Sequence, residues 1–302
     1  MSKSDIQTEK LIVGDVVVKP DGEKLQKVLA RIGLGSRRKL EESIQAGDIT
    51  VNGKTAKLGD RVVAGDKIKF KGRPVANDQL VDNRILLYHK PVGEVCSRKD
   101  PEGRATVFGG LPRLKSGRWV SVGRLDYNTS GLLLMTTDGE LANALMHPST
   151  RVEREYLVRV MGRVDEAMLD RLKSGVELDD GQARFSDIQE GGSDSEGINR
   201  FFYVVLSEGR NREVRRLWES QGMTVSRLKR VRYGDVFIPS KLKKGQWMEL
   251  KQCDADVVYT MAHMKPKPIY QPSKRSADKR ERRAKKSGKH IPKRNKKERE
   301  SQ

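Results

Sequence analysis

Residues 123–148 read GRLDYNTSGLLLMTTDGELANALMHP, and the middle of the chain is organised around them. Leu132 to Thr136 is a short apolar run of strand type. Thr137-Asp138-Gly139 then opens a helix that runs through Met146 and is stopped by Pro148. Upstream, Trp119-Val120-Ser121-Val122 is a second β run that leads straight into Gly123-Arg124-Leu125-Asp126. Tyr127 to Gly131 is rich in turn formers. Arg124 and Asp126 are therefore expected in a loop clamped between two buried strands, a position in which functional groups are often held. On spacing alone, the simpler reading of Asp126 is a turn residue capping its own loop.

The flanks extend the pattern. Ile85-Leu86-Leu87-Tyr88 is a β run stopped by Lys90-Pro91, and a loop rich in Gly, Pro and charge follows from Val92 to Gly117. In EREYLVRV, Tyr156 stands at the head of a strand and reads by itself as a half-buried aromatic. FFYVVL runs into Gly209, and the stretch SEGRNREVRRLWESQG continues into a helix. Val214, Leu217 and Trp218 form its apolar stripe, with Arg212, Arg215 and Arg216 expected on the opposite, solvated or RNA-contacting side.

A separate unit precedes this region. In KLQKVLARIG, Leu25, Val28, Leu29 and Ile32 fall at i, i+3, i+4 and i+7, and Gly33 ends the helix. Ser36 caps a second helix, SRRKLEESIQAG. ITVNGKTA holds two short β runs around Asn52-Gly53, a hairpin signal, and Asp60 to Phe70 is expected to supply another strand pair. Arg37, Arg38 and Lys39 open the second helix, where basic side chains and free N–H groups suit phosphate.

Charge divides the chain in the same way. Of the net +20, residues 264–302 carry 16 Lys/Arg against 4 Asp/Glu, and residues 24–75 carry 13 against 5. The remainder is near neutral. Clustered Lys/Arg release counterions from phosphates, so a nucleic acid is the expected partner. The C-terminal segment is rich in Pro and has almost no aliphatic residues, so it is expected to be a disordered basic arm. No apolar run approaches the ~20 residues that span a bilayer, and the first ten residues lack the order of a signal peptide. Cys96 and Cys253 form no CxxC and the four histidines are scattered, so no metal site is expected. No phosphate-cradling glycine loop implies a nucleotide cofactor. A cytoplasmic monomer without a protein partner or cofactor is the resulting expectation.

Two resemblances sharpen this. The ααβ order, with SRR between the helices and DITVNG after them, resembles a small α-L RNA-binding domain named after a ribosomal protein. The stretch from Gly123 to Pro148 resembles the catalytic motif of the RsuA/RluB family of ribosomal-RNA pseudouridine synthases. The implied fold is α+β: an α-L domain at 22–75, a catalytic domain at 82–257 on a mainly antiparallel mixed sheet, and the basic tail at 264–302. The resemblance implies Asp126 as catalytic carboxylate and Arg215 as its basic partner. It also implies Tyr156 as the tyrosine on the target base, Leu228 as an apolar wall near the uracil, and Arg124 as a support for the flipped-out uridine. Arg37, Arg38, Lys39, Arg212 and Arg216 are the expected RNA contacts. The phrases DPEGRATVFGGLPRL and SRLKRVRYGD resemble the large-subunit branch, which acts on 23S RNA near the peptidyl-transferase centre, more than the small-subunit (16S) branch. The other class of reading is a non-catalytic assembly factor, against which the set Asp126, Tyr156 and Arg215 argues.

Overall fold

The structure, a computed structural model, describes residues 11–13, 16–18, 22–76, 82–193 and 199–270. The described residues up to Ile269 belong to one compact unit. The expected basic arm from residue 271 onward lies outside the described residues.

Two helices open the N-terminal part, α1 (Leu25–Arg31) and α2 (Arg37–Gln45). The Ser36 hydroxyl caps α2 by accepting the Lys39 N–H at 3.2 Å. Leu25, Val28, Leu29, Leu40 and Ile44 pack with Ile49 and Ile68 into a small core. The Asn52-Gly53 turn forms as expected: both residues have positive φ, and Thr50 and Val51 pair with Thr55 and Lys54. One expectation is corrected. The strands within 60–70 do not pair with each other. Arg61–Val62 pairs with Glu23–Lys24, and Ile68–Phe70 pairs with Ile49–Val51. The Asp66 carboxylate accepts the Val63 N–H at 2.8 Å and closes a turn that sends the two runs to different partners.

The larger part is a nine-stranded sheet. Its strands, in chain order, are β1 (Ile85–Lys90), β2 (Val120–Val122), β3 (Ser130–Thr136), β4 (Arg154–Met161), β5 (Asp187–Ser193), β6 (Asn199–Leu206), β7 (Thr224–Tyr233), β8 (Val236–Phe237) and β9 (Trp247–Glu249). The order across the sheet is β5-β6-β4-β7-β3-β1-β9, with β2 on β3 and β8 on β7. Every pairing is antiparallel except β3 with β7, which run parallel over Ser130↔Lys229 and Gly131↔Arg230. Gly131 is needed at that seam. Its φ is +116°, and a Cβ there would lie 2.2 Å from the Arg230 carbonyl oxygen.

Helices α3 (Gly139–Met146), α4 (Glu166–Ser174), α5 (Glu213–Glu219) and α6 (Gln252–Met261) cover the sheet. On one side of the seam, Leu132, Leu134, Leu141, Leu145, Val258 and Tyr259 share a core. On the other, Val158, Phe202, Val204, Leu217 and Trp218 share a second. Asp138 opens α3 as the sequence suggests, accepting the N–H groups of Glu140 and Leu141 at 2.9 and 3.2 Å. The Lys27 ammonium reaches from α1 to the Glu140 carboxylate at 2.6 Å, and the Arg118 guanidinium donates to the Gly35 carbonyl at 2.9 Å, so the two parts are tied together.

The start of the basic segment is also corrected. Residues 264–269 pack onto the folded body instead of hanging free. Ile269 is buried and its N–H donates to the Gln252 side chain at 2.9 Å. Lys267 donates to the Asp138 carboxylate at 2.9 Å, and Asn83 donates to the Pro268 carbonyl at 3.2 Å. Charge composition hides this, because the anchoring comes from two apolar side chains, Met264 and Ile269, and one buried carboxylate.

Candidate active site

The connection from β2 to β3 is pinned from below. Lys90, the last residue of β1, is fully buried. Its ammonium donates to three carbonyls: Asp126 at 2.9 Å, Thr129 at 2.8 Å and Pro91 at 3.1 Å. The Thr129 N–H donates to the Asp126 carbonyl at 3.1 Å, and the Gly93 N–H donates to the Tyr127 carbonyl at 2.9 Å. Cys96 adds a further tie, its thiol donating to the Leu125 carbonyl at 3.3 Å. The backbone of the loop is thus fixed while the Asp126 side chain is left to face a cavity.

That cavity measures about 730 Å³. Asp126, Tyr156, Leu228, Arg124 and Arg212 all line it, although they come from four separate stretches of chain. Tyr156 and Arg230 are paired neighbours on β4 and β7. Leu228 lies two residues before Arg230 on the same strand, hence on the same face. Leu228 is almost fully buried, whereas Arg124 is exposed.

Arg215 departs from the expectation in two ways. It does not project to a solvated side of α5, for it is only 6% exposed. It also makes no ion pair within bonding reach of Asp126 among the described residues. Its guanidinium donates instead to the Val225 carbonyl at 2.8 Å and to the Asn128 carbonyl at 3.2 Å, while its Nε is buried with no partner. Burial pulls its pKa below the ordinary arginine range, the Arg212 charge adds to that, and the charges of Asp126 and Glu219 oppose it. Arg215 therefore bridges β7 and the loop that carries Asp126. Five of the seven residues of this helix are buried, Arg215 among them, and the sequence stripe of Val214, Leu217 and Trp218 does not reveal that.

The expected RNA contacts separate. Arg37, Arg38 and Lys39 are exposed at the start of α2. Arg212 is partly exposed at the wall of the cavity, 3.5 Å from the Glu219 carboxylate. Arg216 is held by both oxygens of Asp180 at 2.8 Å.

Four further residues line or support the site without having been singled out in the sequence. Lys90 is one. Arg230 is buried, donates from Nε to the Leu132 carbonyl at 2.7 Å and lines the cavity with its Nη2 unpartnered. The strand alternation from Leu228 was the signal for it. Arg154 lies at the cavity wall with its guanidinium 5.4 Å from the Tyr233 ring. Glu213, on the first turn of α5, is buried in the same wall and accepts the Arg210 N–H at 2.9 Å. Burial pushes its carboxyl up to about 7, the Arg210 hydrogen bond opposes this, and the nearby Glu208 charge adds to it.

An N-terminal α-L domain and a loop-borne aspartate in a cleft of a mixed sheet define a class of RNA-modifying enzyme. Residues 84–220 match the RNA pseudouridylate synthase family, and residues 23–68 match the S4 domain. The chain belongs to the RNA pseudouridylate synthases. Among curated relatives, the ribosomal large subunit pseudouridine synthase B of Pseudomonas aeruginosa is 52% identical over 274 residues, covering 90% of this chain and 71% of the relative. The protein of the same name from Vibrio cholerae is 58% identical over 248 residues, covering 81% of this chain and 76% of the relative. Among solved structures, a crystal structure of a pseudouridylate synthase superposes with a TM-score of 0.54 at 25% identity, covering 79% of this chain and 99% of that one.

Proposed function

We propose that the chain isomerises one uridine of large-subunit (23S) ribosomal RNA to pseudouridine, with Asp126 as its catalytic residue. The observation that carries this is the convergence of Asp126, Tyr156 and Leu228 on one cavity, with the Asp126 backbone locked from beneath. The large-subunit target follows the relatives, whose name specifies it, at more than half identity over most of the chain. The cytoplasm, where such RNA is assembled, is the compartment this reading implies. No helix among the described residues is long and apolar enough to cross a membrane.

The chemistry is an internal rearrangement. The bond from uracil N1 to ribose C1′ breaks, a bond from C5 to C1′ forms, N1 gains a proton and C5 loses one. The Asp126 carboxylate serves either as nucleophile at C1′ or as the base that takes a sugar proton. The uridine leaves its stack to be reached, at a cost of a few kcal/mol. Tyr156 and Leu228 offset that cost by covering the uracil, as aromatic and apolar walls do at about 1–3 kcal/mol per base. Arg215, held between Val225 and Asn128, places a buried guanidinium beside the loop that carries Asp126.

The test uses naked 16S and 23S transcripts, with pseudouridine mapped by carbodiimide-dependent primer-extension stops. A single stop in 23S RNA is expected, absent with Asp126→Asn, which should still bind the RNA within a few-fold of the parent affinity. A stop only in 16S RNA would move the target to the small subunit. Turnover by a clean Asp126→Asn preparation would remove Asp126 from the chemistry.

A further inference from the structure

Tyr127 takes no part in the chemistry assigned to Asp126, yet it is the next residue and is 47% exposed at the wall of the same cavity. Single exposed aromatics are common on protein surfaces and need no explanation. Two features set this one apart. Its backbone is immobilised on both sides, by Lys90 on the Asp126 carbonyl and by Gly93 on its own carbonyl, so the ring stands on a rigid base. It also has a cation at one side: the Arg104 guanidinium lies 5.7 Å from the ring centre. Arg104 is itself fixed, donating to both oxygens of Asp100 at 2.7 and 3.0 Å and to Glu102 at 2.9 Å. Asp100 and Arg104 line the cavity too.

A rigid, half-open aromatic backed by a cation is suited to receive the face of a nucleobase. The target uracil is not that base, because the walls assigned to it are Tyr156 and Leu228. Extruding a uridine strips its neighbours of a stacking partner, and those neighbours remain at the mouth of the cleft. We propose that Tyr127, backed by Arg104, is the stacking platform for the base of a nucleotide flanking the target uridine. The inference rests on the proposed RNA isomerisation and adds a subsite to it. Tyr127 makes the enzyme sensitive to the state of a neighbour, while Asp126 acts on the target.

The experiment compares the parent chain with Tyr127→Ala and Tyr127→Phe on a synthetic RNA hairpin containing the mapped uridine. Each flanking nucleotide is replaced in turn by an abasic one, and binding and single-turnover rates are measured separately. Tyr127→Ala should weaken binding of the intact hairpin about ten-fold, the loss of one stacked base. Tyr127→Phe should stay within about two-fold, since the ring is kept. The Ala penalty should vanish at one abasic position and persist at the others, because a contact can be lost only once. Equal binding by the parent and Tyr127→Ala overturns the proposal, as does a penalty that is the same at every abasic position. Failure of the underlying reading looks different: the parent then modifies no uridine in either transcript. Since the ring is half exposed, both variants should melt with the parent, and a large drop for Tyr127→Ala alone would show the ring to be a structural support.

Discussion

The Lys90 ammonium donates to the backbone carbonyl of Asp126 at 2.9 Å from a position with no solvent exposure. A buried lysine normally sheds much of its charge or finds a carboxylate, and burial does pull Lys90 below the usual lysine range. Here three carbonyls solvate it. The side chain thus acts as an internal peg that sets where the Asp126 Cα stands relative to the cavity.

Replacing Lys90 with Met keeps the length of the side chain and removes all three donated bonds. Buried carbonyls left without partners cost about 1–3 kcal/mol each, discounted for relaxation of the loop. Lys90→Met should lose about 2–4 kcal/mol of stability in urea titrations. Single-turnover rate should fall at least ten-fold, while RNA affinity changes little. A variant with normal rate and lowered stability would show that the peg holds the fold but not the carboxylate.

Arg215 and Arg216 are adjacent, yet one is enclosed and the other is paired with Asp180 at the edge of α5. Arg215→Ala should depress kcat far more than RNA affinity, because its neighbours are Asp126 and the loop at Asn128. Arg216→Ala should do little to kcat and cost under about 1 kcal/mol of stability, as partly exposed ion pairs do. Matching kinetic profiles for the two, with the main change in salt dependence of binding, would turn this helix into an RNA surface.

Glu213 gives a pH signature. Its carboxyl is raised from the ordinary value to about 7 by burial, so the folded state holds its proton more tightly than the unfolded chain does. Its favourable contribution is complete below about pH 4.5 and is lost as pH rises through about 7. Glu213→Gln, which cannot ionise, should match the parent near pH 4.5 and be more stable than it at pH 8. Thermal melts across that window check the sign. A parent advantage that grows with pH would mean that the ionised form is the one the wall accommodates.

Phosphate contacts should come from the basic segments. Deleting residues 271–302, which carry 14 Lys/Arg against 4 Asp/Glu, should weaken RNA binding and flatten its salt dependence. Each lost contact lowers the log–log slope by roughly 0.7–0.9. Single-turnover rate at saturating RNA should hold. Charge reversal of Arg37 and Arg38 should weaken binding too, and also loosen the choice of uridine, because these residues sit on a folded domain that positions the substrate. A deletion that leaves affinity and slope unchanged would confine the segment to solubility.

Legibility in the sequence followed locality. The β2–loop–β3–α3 run, the Ser36 and Asp138 caps and the Asn52-Gly53 hairpin are set by neighbouring residues, and all are visible in the string. The placement of Arg215 was not, because its enclosure depends on β7 and the Asn128 loop, 10 and 87 residues away. Arg230 was legible only through strand alternation from Leu228; its partner, the Leu132 carbonyl, is 98 residues distant. The strands within 60–70 show the limit within a single domain, since period-2 alternation identifies a strand but not its partner.

The parallel contact between β3 and β7 spans only Ser130↔Lys229 and Gly131↔Arg230, and it joins one half of the large sheet, β3-β1-β9, to the other, β5-β6-β4-β7, with Tyr233 of β7 sharing a core with Leu132 and Leu134 of β3. Asp126 enters from one half. Tyr156, Leu228 and Arg215 enter from the other. The residues proposed for the site are therefore shared between the two halves. Under the proposed chemistry, isomerisation therefore needs both halves of the sheet folded and joined.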